Sequence, residues 1–214
     1  MSALEDAFAN PDPSVRLNAV MAAGIHPSSL DLDALVARCA TEPDFQVREM
    51  LTWALLRLPK EMVVPRIVGE LTRPEAQARA QALHTLSKIG DRSAWPAVAM
   101  RLDDDDPEVV RTAWYSAVAL VPESERGWLS AKLAAQLGRG DRETRLSLSR
   151  ALVGLGEEVV TPVLAVAAEH KYQAIRQHAA ETVQLLRDPD SGFDADLYRA
   201  RREVGSGRTR SAIG

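Results

Sequence analysis

Residues 103–118 read DDDDPEVVRTAWYSAV and show the pattern that the rest of the chain repeats. An acidic run precedes a proline, and apolar residues then recur around Arg111. Val110, Trp114 and Val118 stand one residue before, three after and seven after that arginine, which places them on one stripe of a helix. The stretch therefore predicts an amphipathic helix preceded by an acidic turn.

An arginine in the same setting recurs along the chain at intervals of 31 to 34 residues. The six marker arginines are Arg16, Arg48, Arg79, Arg111, Arg145 and Arg176. The positions three and seven residues after each marker are apolar in all six copies, and only Thr144 breaks the pattern at the position before it. Because residues at these positions face one side of a helix, the markers predict six equivalent helices.

A second series of helices is predicted ahead of the marker helices, from apolar residues at helical spacing. These stretches are residues 28–40, 60–71, 92–102, 123–137 and 157–169, with a shorter one at residues 2–9. Pro65, Pro96 and Pro162 fall inside three of them, and an interior proline bends a helix. We therefore expect the bend to be part of the repeat.

Turn residues separate the two series of helices. The predicted N-caps are Asp12, Asp44 and Asp141, and the predicted left-handed helix ends are Gly24, Gly90 and Gly156. No segment alternates apolar and polar residues between hairpin turns, so no strand is predicted.

These patterns predict an all-α fold of the α-solenoid class, built from about six antiparallel helix hairpins that share a continuous core. The predicted repeats span residues 1–26, 27–58, 59–90, 91–122, 123–155 and 156–187, approximately. Residues 188–214 depart from the pattern and are predicted to form an extension with one short helix and a flexible, solvated tail. The tail is rich in arginine, at Arg199, Arg201, Arg202, Arg208 and Arg210.

Composition excludes several classes of protein. The chain has 214 residues, a formal net charge of -4 and one cysteine, so an intramolecular disulfide framework is excluded. No stretch is apolar enough to span a membrane, and residues 1–10 do not read as a secretory signal. The mild acidity argues against a dedicated nucleic-acid binder. We therefore expect a cytoplasmic protein.

The stretch Asp105-Asp106-Pro107-Glu108-Val109-Val110-Arg111 resembles the second helix of the HEAT repeat, in the subclass that resembles phycobilisome lyases. The resemblance covers residues 10–187. It implies stacked antiparallel helix pairs whose second helices line a concave face. The family prefers Asp at positions that this chain fills with Asn10, Glu42, Arg73, Arg139 and His170. We therefore expect a weaker polar ladder between repeats.

No catalytic constellation is evident, and we expect no cofactor and no metal ion. The histidines, His26, His84, His170 and His178, lack the spacing of metal ligands. Cys39 lies on the apolar side of its predicted helix and is interpreted as a small buried hydrophobe. The acidic run 103–106 is interpreted as helix-capping, and the marker arginines as ties between turns and neighbouring repeats.

The positions two, five and nine residues after each marker are predicted to face away from the core. They carry residue types enriched in interfaces, and they predict a groove formed by Met50, Trp53, Arg57, His84 and Lys88, with Arg150 further along. The competing interpretation shifts the helical phase by one position and turns Trp53 inward.

The resulting hypothesis is a non-enzymatic scaffold or adaptor that binds a peptide or helix of a protein partner along its concave face. Two alternatives stay open. One is a nucleic-acid protein such as a HEAT-like alkylpurine DNA glycosylase; such enzymes use aromatic residues, and this chain has four tryptophans. The other is cofactor handling like that of the bilin lyases that share this repeat.

Overall fold

The computed structural model describes residues 3–188, and every regular element within them is helical. The chain divides into two compact units, which meet in sequence between Glu123 and Ser124. The predicted all-α class is confirmed. Apart from Asp188, the predicted C-terminal extension 188–214 lies outside the described residues.

The first unit consists of four helix pairs. Its helices are α1 (Ala3–Phe8), α2 (Pro13–Ile25), α3 (Leu32–Cys39), α4 (Phe45–Leu55), α5 (Lys60–Glu70), α6 (Ala76–Ile89), α7 (Trp95–Ala99) and α8 (Pro107–Leu120). The odd-numbered helices are the first members of the pairs, and the even-numbered ones carry the marker arginines. Each first helix packs on its own marker helix, and α2 packs against α4 as α6 does against α8.

The second unit contains two pairs in the described part of the chain. They are α9 (Arg126–Ala134) with α10 (Arg142–Gly154), and α11 (Glu157–Ala168) with α12 (Gln173–Arg187). First helices pack together as α9 and α11, and marker helices as α10 and α12. Leucines fill the interior of both units; Leu51, Leu55, Leu83, Leu129 and Leu133 are among the largest fully buried side chains.

The predicted aspartate N-caps are confirmed. The carboxylate of Asp12 accepts a hydrogen bond from the Ser14 amide at 2.8 Å, and that of Asp44 accepts one from the Val47 amide at 3.0 Å. Asp141 caps α10 through the Thr144 amide at 2.8 Å. Each cap satisfies an amide that has no partner inside its helix, so the start of the marker helix is fixed by local sequence.

The predicted positions of interior prolines and of glycine helix ends are confirmed only in part. Pro65 and Pro162 lie inside α5 and α11, but Pro96 occupies the first turn of α7, where a missing amide costs nothing. Gly90 ends α6 at a φ of 70° as predicted. Gly24 does not end its helix, because α2 continues through it to Ile25.

A buried polar triangle joins neighbouring marker helices in the first unit. Thr52 of α4 lies 3.2 Å from the hydroxyl of Thr85 on α6, and Gln81 Nε2 donates to the Thr52 hydroxyl at 2.8 Å. Thr85 also donates to the carbonyl of Gln81. All three side chains are buried, so each polar atom finds its partner within the packed interface rather than in water.

The second unit repeats this triangle with a histidine in place of the glutamine. Ser149 of α10 lies 2.7 Å from the Thr182 hydroxyl and 3.1 Å from Nε2 of His178, both on α12. The amide of Gly138 donates to Nδ1 at 3.0 Å, so Nε2 carries the proton and donates to the Arg145 carbonyl at 2.9 Å. Burial lowers the pKa of His178, which agrees with a neutral ring.

His178 should make the second unit sensitive to acid. Its folded-state pKa lies below the ordinary value, so the unfolded chain binds the proton more readily, and stability falls as the pH drops below about 6.5. We predict that wild type loses more free energy of unfolding than His178→Gln between about pH 7 and pH 5. Urea titrations at both pH values measure this difference; parallel pH dependences in the two proteins would contradict the assignment.

Candidate partner-binding surface

Marker arginines bind the turn that precedes their own helix. Nη1 of the marker arginine donates to the carbonyls of the residues six and five positions earlier; Arg16, Arg48, Arg79 and Arg176 make these contacts at 2.7–3.0 Å. These side chains are therefore engaged in the fold, as the sequence interpretation proposed, and do not form a free cationic row.

Two marker arginines also reach a carboxylate of the next helix pair. Arg16 makes a bidentate contact with Glu42, at 2.9 Å from Nε and 2.7 Å from Nη2. Arg79 makes the equivalent contact with Asp104, at 3.0 and 2.8 Å. The polar contacts between repeats, which were expected to be weak, are therefore present for Arg16 and Arg79. Glu42 makes its contact although the family prefers the shorter Asp at its position.

Glu42 is the most enclosed carboxylate of the first unit. Its side chain is fully buried and also accepts hydrogen bonds from Arg38 at 2.7 Å and from the Asp44 amide at 2.9 Å. Burial alone would raise its pKa. The hydrogen bonds from Arg16, the Asp44 amide and Arg38 outweigh burial and bring the pKa of Glu42 down to about 2.

The remaining residues singled out for chemistry also have structural surroundings. Cys39 is buried, and burial raises the pKa of its thiol to about 12, which suppresses the reactive thiolate. Within the acidic run, Asp106 caps α8 and Asp104 binds Arg79. Among residues 3–188, no three His, Cys, Asp or Glu side chains come together as a metal site would require.

Trp53 faces neither fully outward into a groove nor fully inward into the core, the two orientations considered from sequence. Its indole is half-buried over Gly24 of α2, and a Cβ at Gly24 would lie 2.0 Å from Cζ3 of the ring. Glycine therefore permits the close approach of α2 and α4 at this point. The side chain is nevertheless partly exposed, and the Arg57 guanidinium lies over the ring, 5.7 Å from its centroid.

The helical phase predicted for the surface is correct at some positions and wrong at others. Five residues after the marker, Met21 is exposed and His84 is half-buried, but Ser116 is buried and donates to the Leu83 carbonyl. Two residues after the marker, Gln81 and His178 are buried between marker helices. These positions were predicted to face a groove, but they face the adjacent helix instead.

The residues predicted for the groove in the first unit lie on α4 and α6 or directly after α4. Met50, Trp53 and His84 are half-buried, while Arg57 and Lys88 are exposed. Nε2 of His84 lies 3.2 Å from Oε1 of Glu49 without hydrogen-bond geometry. Burial lowers the pKa of His84, whereas the negative charge of Glu49 acts to raise it; the effect of burial is the larger of the two.

Tyr115 belongs to the same surface and was missed from sequence. It stands four residues after its marker on α8, is 56% exposed, and lies under the Lys88 ammonium at 6.0 Å. We call the set Met21, Trp53, Arg57, Lys88 and Tyr115 the marker-helix face. It carries two aromatic rings, each beside a cation, on the second and fourth helix pairs.

Arg150 was predicted to extend this groove. It is exposed on α10, which belongs to the second unit, whereas the other predicted groove residues belong to the first. Its place in the groove stays a prediction.

The second unit has a cleft of its own that no sequence motif indicated. It has a volume of about 620 Å³ and lies between α9, α11 and the start of α12. Its wall is largely apolar and includes Pro162, Val163, Val166 and Ile175. Val166 is 74% exposed, but α11 contains four valines, and the sequence does not indicate which of them is exposed.

Residues 32–119 match the family model for HEAT repeats. This part of the chain therefore consists of HEAT repeats. This match covers α3 to α8 and confirms the family that the marker arginines indicated.

Solved structures also resemble this chain. The complex of CpcE and CpcF of phycocyanin lyase from Nostoc sp. PCC7120 matches with a TM-score of 0.50 and 20% identity over 86% of this chain and 75% of that one. A designed armadillo repeat protein matches with a TM-score of 0.44 and 13% identity over 86% of this chain and 98% of its own.

An engineered protein matches with a TM-score of 0.47 and 17% identity over 87% and 99% of the two chains. No curated protein sequence gives a significant match. Among the residues that the structure describes, no helix has both the length and the apolar character needed to cross a bilayer.

Proposed function

We propose that this HEAT-repeat chain is a non-enzymatic scaffold or adaptor that binds a protein partner on the marker-helix face of its first unit. The observation that carries the proposal is the pair of surface aromatic residues, Trp53 and Tyr115, each with a cation near its ring. Tryptophan, tyrosine and arginine are the residue types most enriched among those that dominate binding energy in interfaces.

The geometry of Trp53 suits an anchor for a partner side chain. One edge of the indole is fixed over Gly24, so little rotamer freedom remains to be lost on binding. The exposed part of Trp53 and Met21 of α2, which is 39% exposed, offer apolar area to a partner. A partner with apolar side chains at helical or extended spacing would contact both.

The charges on this face favour an acidic partner segment. Arg57 and Lys88 are exposed and lie beside the two rings, so a carboxylate could bind the cation while an apolar neighbour contacts the ring. The CpcE and CpcF structure provides a parallel, since a chain of similar fold is there part of a two-protein complex.

Reversing one charge on this face should weaken partner binding. We predict that Arg57→Glu lowers specific partner recovery from native lysate by about tenfold, because like-charge contact disfavours an acidic partner. Arg92→Glu is the matched control: Arg92 is also exposed, in the short helical turn before α7. Equal recovery of every partner by the wild type and both variants would contradict the proposal.

The same binding experiment tests whether Trp53 and Met50 serve the partner-binding surface or the core of the first unit. Trp53→Ala and Met50→Ala should reduce partner recovery while circular dichroism still shows a folded, cooperative protein. If these substitutions unfold the first unit, the two side chains serve its core and the proposed surface fails.

A further inference from the structure

The apolar cleft of the second unit is the strongest feature that the proposed function does not use. It has a volume of about 620 Å³, and most of its lining is alanine, valine, proline and isoleucine of α9, α11 and the start of α12. Val166 is 74% exposed and Tyr172 is 59% exposed, so large apolar groups of the lining face solvent rather than the core. Exposed apolar side chains around a concavity of this size are typical of a binding site.

The cleft follows two helices that pack side by side. On α9 it is lined by Ala131 and Ala134, which lie three residues apart on one face of the helix. On α11 it is lined by Val163 and Val166, which have the same spacing. Because the alanines have little side-chain volume, another helix can approach α9 closely and place its apolar side chains between α9 and α11.

The end of the cleft beyond the carboxyl ends of α9 and α11 is positively charged. Arg139 lines the cleft and is exposed, and Lys171 is exposed beside the lining residues His170 and Tyr172. Nη1 of Arg139 lies 3.1 Å from the side-chain oxygen of Gln136, and the Lys171 ammonium lies 4.9 Å from the Tyr172 ring centroid. Both contacts are with neutral groups, so the two cations remain able to bind a carboxylate.

The residues at this end differ in charge from their equivalents in the first unit. Glu42 and Asp104 stand two residues before the N-caps of α4 and α8, and each binds the marker arginine of the preceding helix pair. Arg139 and His170 stand two residues before the N-caps of α10 and α12. The second unit thus has a base where those two repeats have a carboxylate, so a carboxylate supplied by an occupant would complement this end of the cleft.

We propose that the cleft of the second unit binds an acidic amphipathic helix of a protein partner, with apolar side chains between α9 and α11 and carboxylates at Arg139 and Lys171. Charge complementarity decides the choice of occupant, since a basic helix would be repelled by both cations. This site uses first helices, whereas the marker-helix face uses marker helices. The cleft is therefore a second binding surface, separate from the one that the proposed function uses.

A random peptide library tests the chemistry of the occupant without assuming its identity. Phage-displayed peptides of about 16 residues, enough for about four helical turns, are selected on the full-length chain and depleted on its Val166→Asp variant. The surviving peptides should carry Leu, Ile or Phe at helical spacing together with a net negative charge. Synthetic copies labelled with fluorescein are then titrated with the protein, and binding is followed by fluorescence anisotropy.

Two matched pairs of variants locate the binding site independently of the depletion step. Ala131→Glu should abolish binding of the surviving peptides, whereas Ala165→Glu should leave it unchanged: both alanines are exposed on helices, but Ala131 lines the cleft and Ala165 stands outside its lining. Arg139→Glu should weaken binding about tenfold. Arg187→Glu, at the exposed far end of α12, should not. Circular dichroism verifies that all the variants are folded.

The proposal is overturned if no peptide depends on Val166, if the surviving peptides are neutral or basic, or if the two members of either matched pair behave alike. Sedimentation velocity of the wild type tests a second copy of the chain as the occupant. Concentration-dependent dimers that Val166→Asp abolishes would also overturn the proposal. None of these outcomes depends on Arg57 or the marker-helix face, so this site and the proposed function can fail separately.

Discussion

Replacing Glu42 by alanine should lower the free energy of unfolding by about 3–5 kcal/mol, the largest effect expected for any single carboxylate in the described residues. The substitution leaves the Arg16 guanidinium, which is 4% exposed, without its bidentate partner inside the first unit. It also removes the acceptor for Arg38 and for the Asp44 amide. Urea denaturation followed by circular dichroism measures the loss.

An exposed ion pair of the same unit provides the control. Asp33 contacts Arg66 at 2.7 Å, but its side chain is 83% exposed, so Asp33→Ala should cost at most about 1 kcal/mol. Similar losses for Asp33→Ala and Glu42→Ala would show that burial does not set the strength of the Glu42 contacts.

Acid provides a second test of Glu42. Its folded-state pKa of about 2 lies below the ordinary value of 4.5, so the unfolded chain binds the proton more readily in this range. The stabilisation is complete above pH 4.5 and is lost as the pH falls toward 2. The difference in stability between wild type and Glu42→Ala should therefore shrink across that window.

Leu83→Ala should lower the free energy of unfolding by about 2–5 kcal/mol, because it opens a cavity in the core of the first unit. Leu83 is fully buried on α6, and its carbonyl also accepts the Ser116 hydroxyl of α8, so the backbone around the cavity has little freedom to collapse. The cost depends on how far neighbouring side chains relax into the space, which accounts for the range.

Leu30 gives a matched control for this truncation. It has the same side chain in the same unit but is 90% exposed, so Leu30→Ala should change stability by no more than about 0.5 kcal/mol. Both variants are compared by urea denaturation, and the slope of the transition is checked for equality with that of the wild type. A loss for Leu83→Ala as small as that for Leu30→Ala would contradict the assignment of the core.

The parts of the fold that follow local rules were predictable from sequence. A marker arginine with Asp12 or Asp44 four residues before it specifies a capped helix, because the cap bonds connect residues within one turn. Pro96 was misassigned, since the true start of α7 is set by a preceding short helical turn that the apolar pattern does not reveal.

The surface was less predictable because it depends on the angle at which marker helices pack. Gln81 and His178 stand where an isolated helix would present them to solvent, yet the adjacent marker helix covers both. Tyr115 lies one position from the predicted stripe, and only its approach to Lys88 from the preceding pair identifies it. The cleft beside Val166 forms where small alanine side chains of α9 and α11 leave space, and no sequence motif indicates such a space.

The two polar triangles are separated by a constant distance in sequence. Thr52, Gln81 and Thr85 each precede their counterparts Ser149, His178 and Thr182 by 97 positions. The same offset relates the caps Asp44 and Asp141, the interior prolines Pro65 and Pro162, and the arginines Arg79 and Arg176. An offset of 97 residues corresponds to three helix pairs, so the equivalent polar interface recurs three repeats later and carries a titratable imidazole where the first carries a neutral amide.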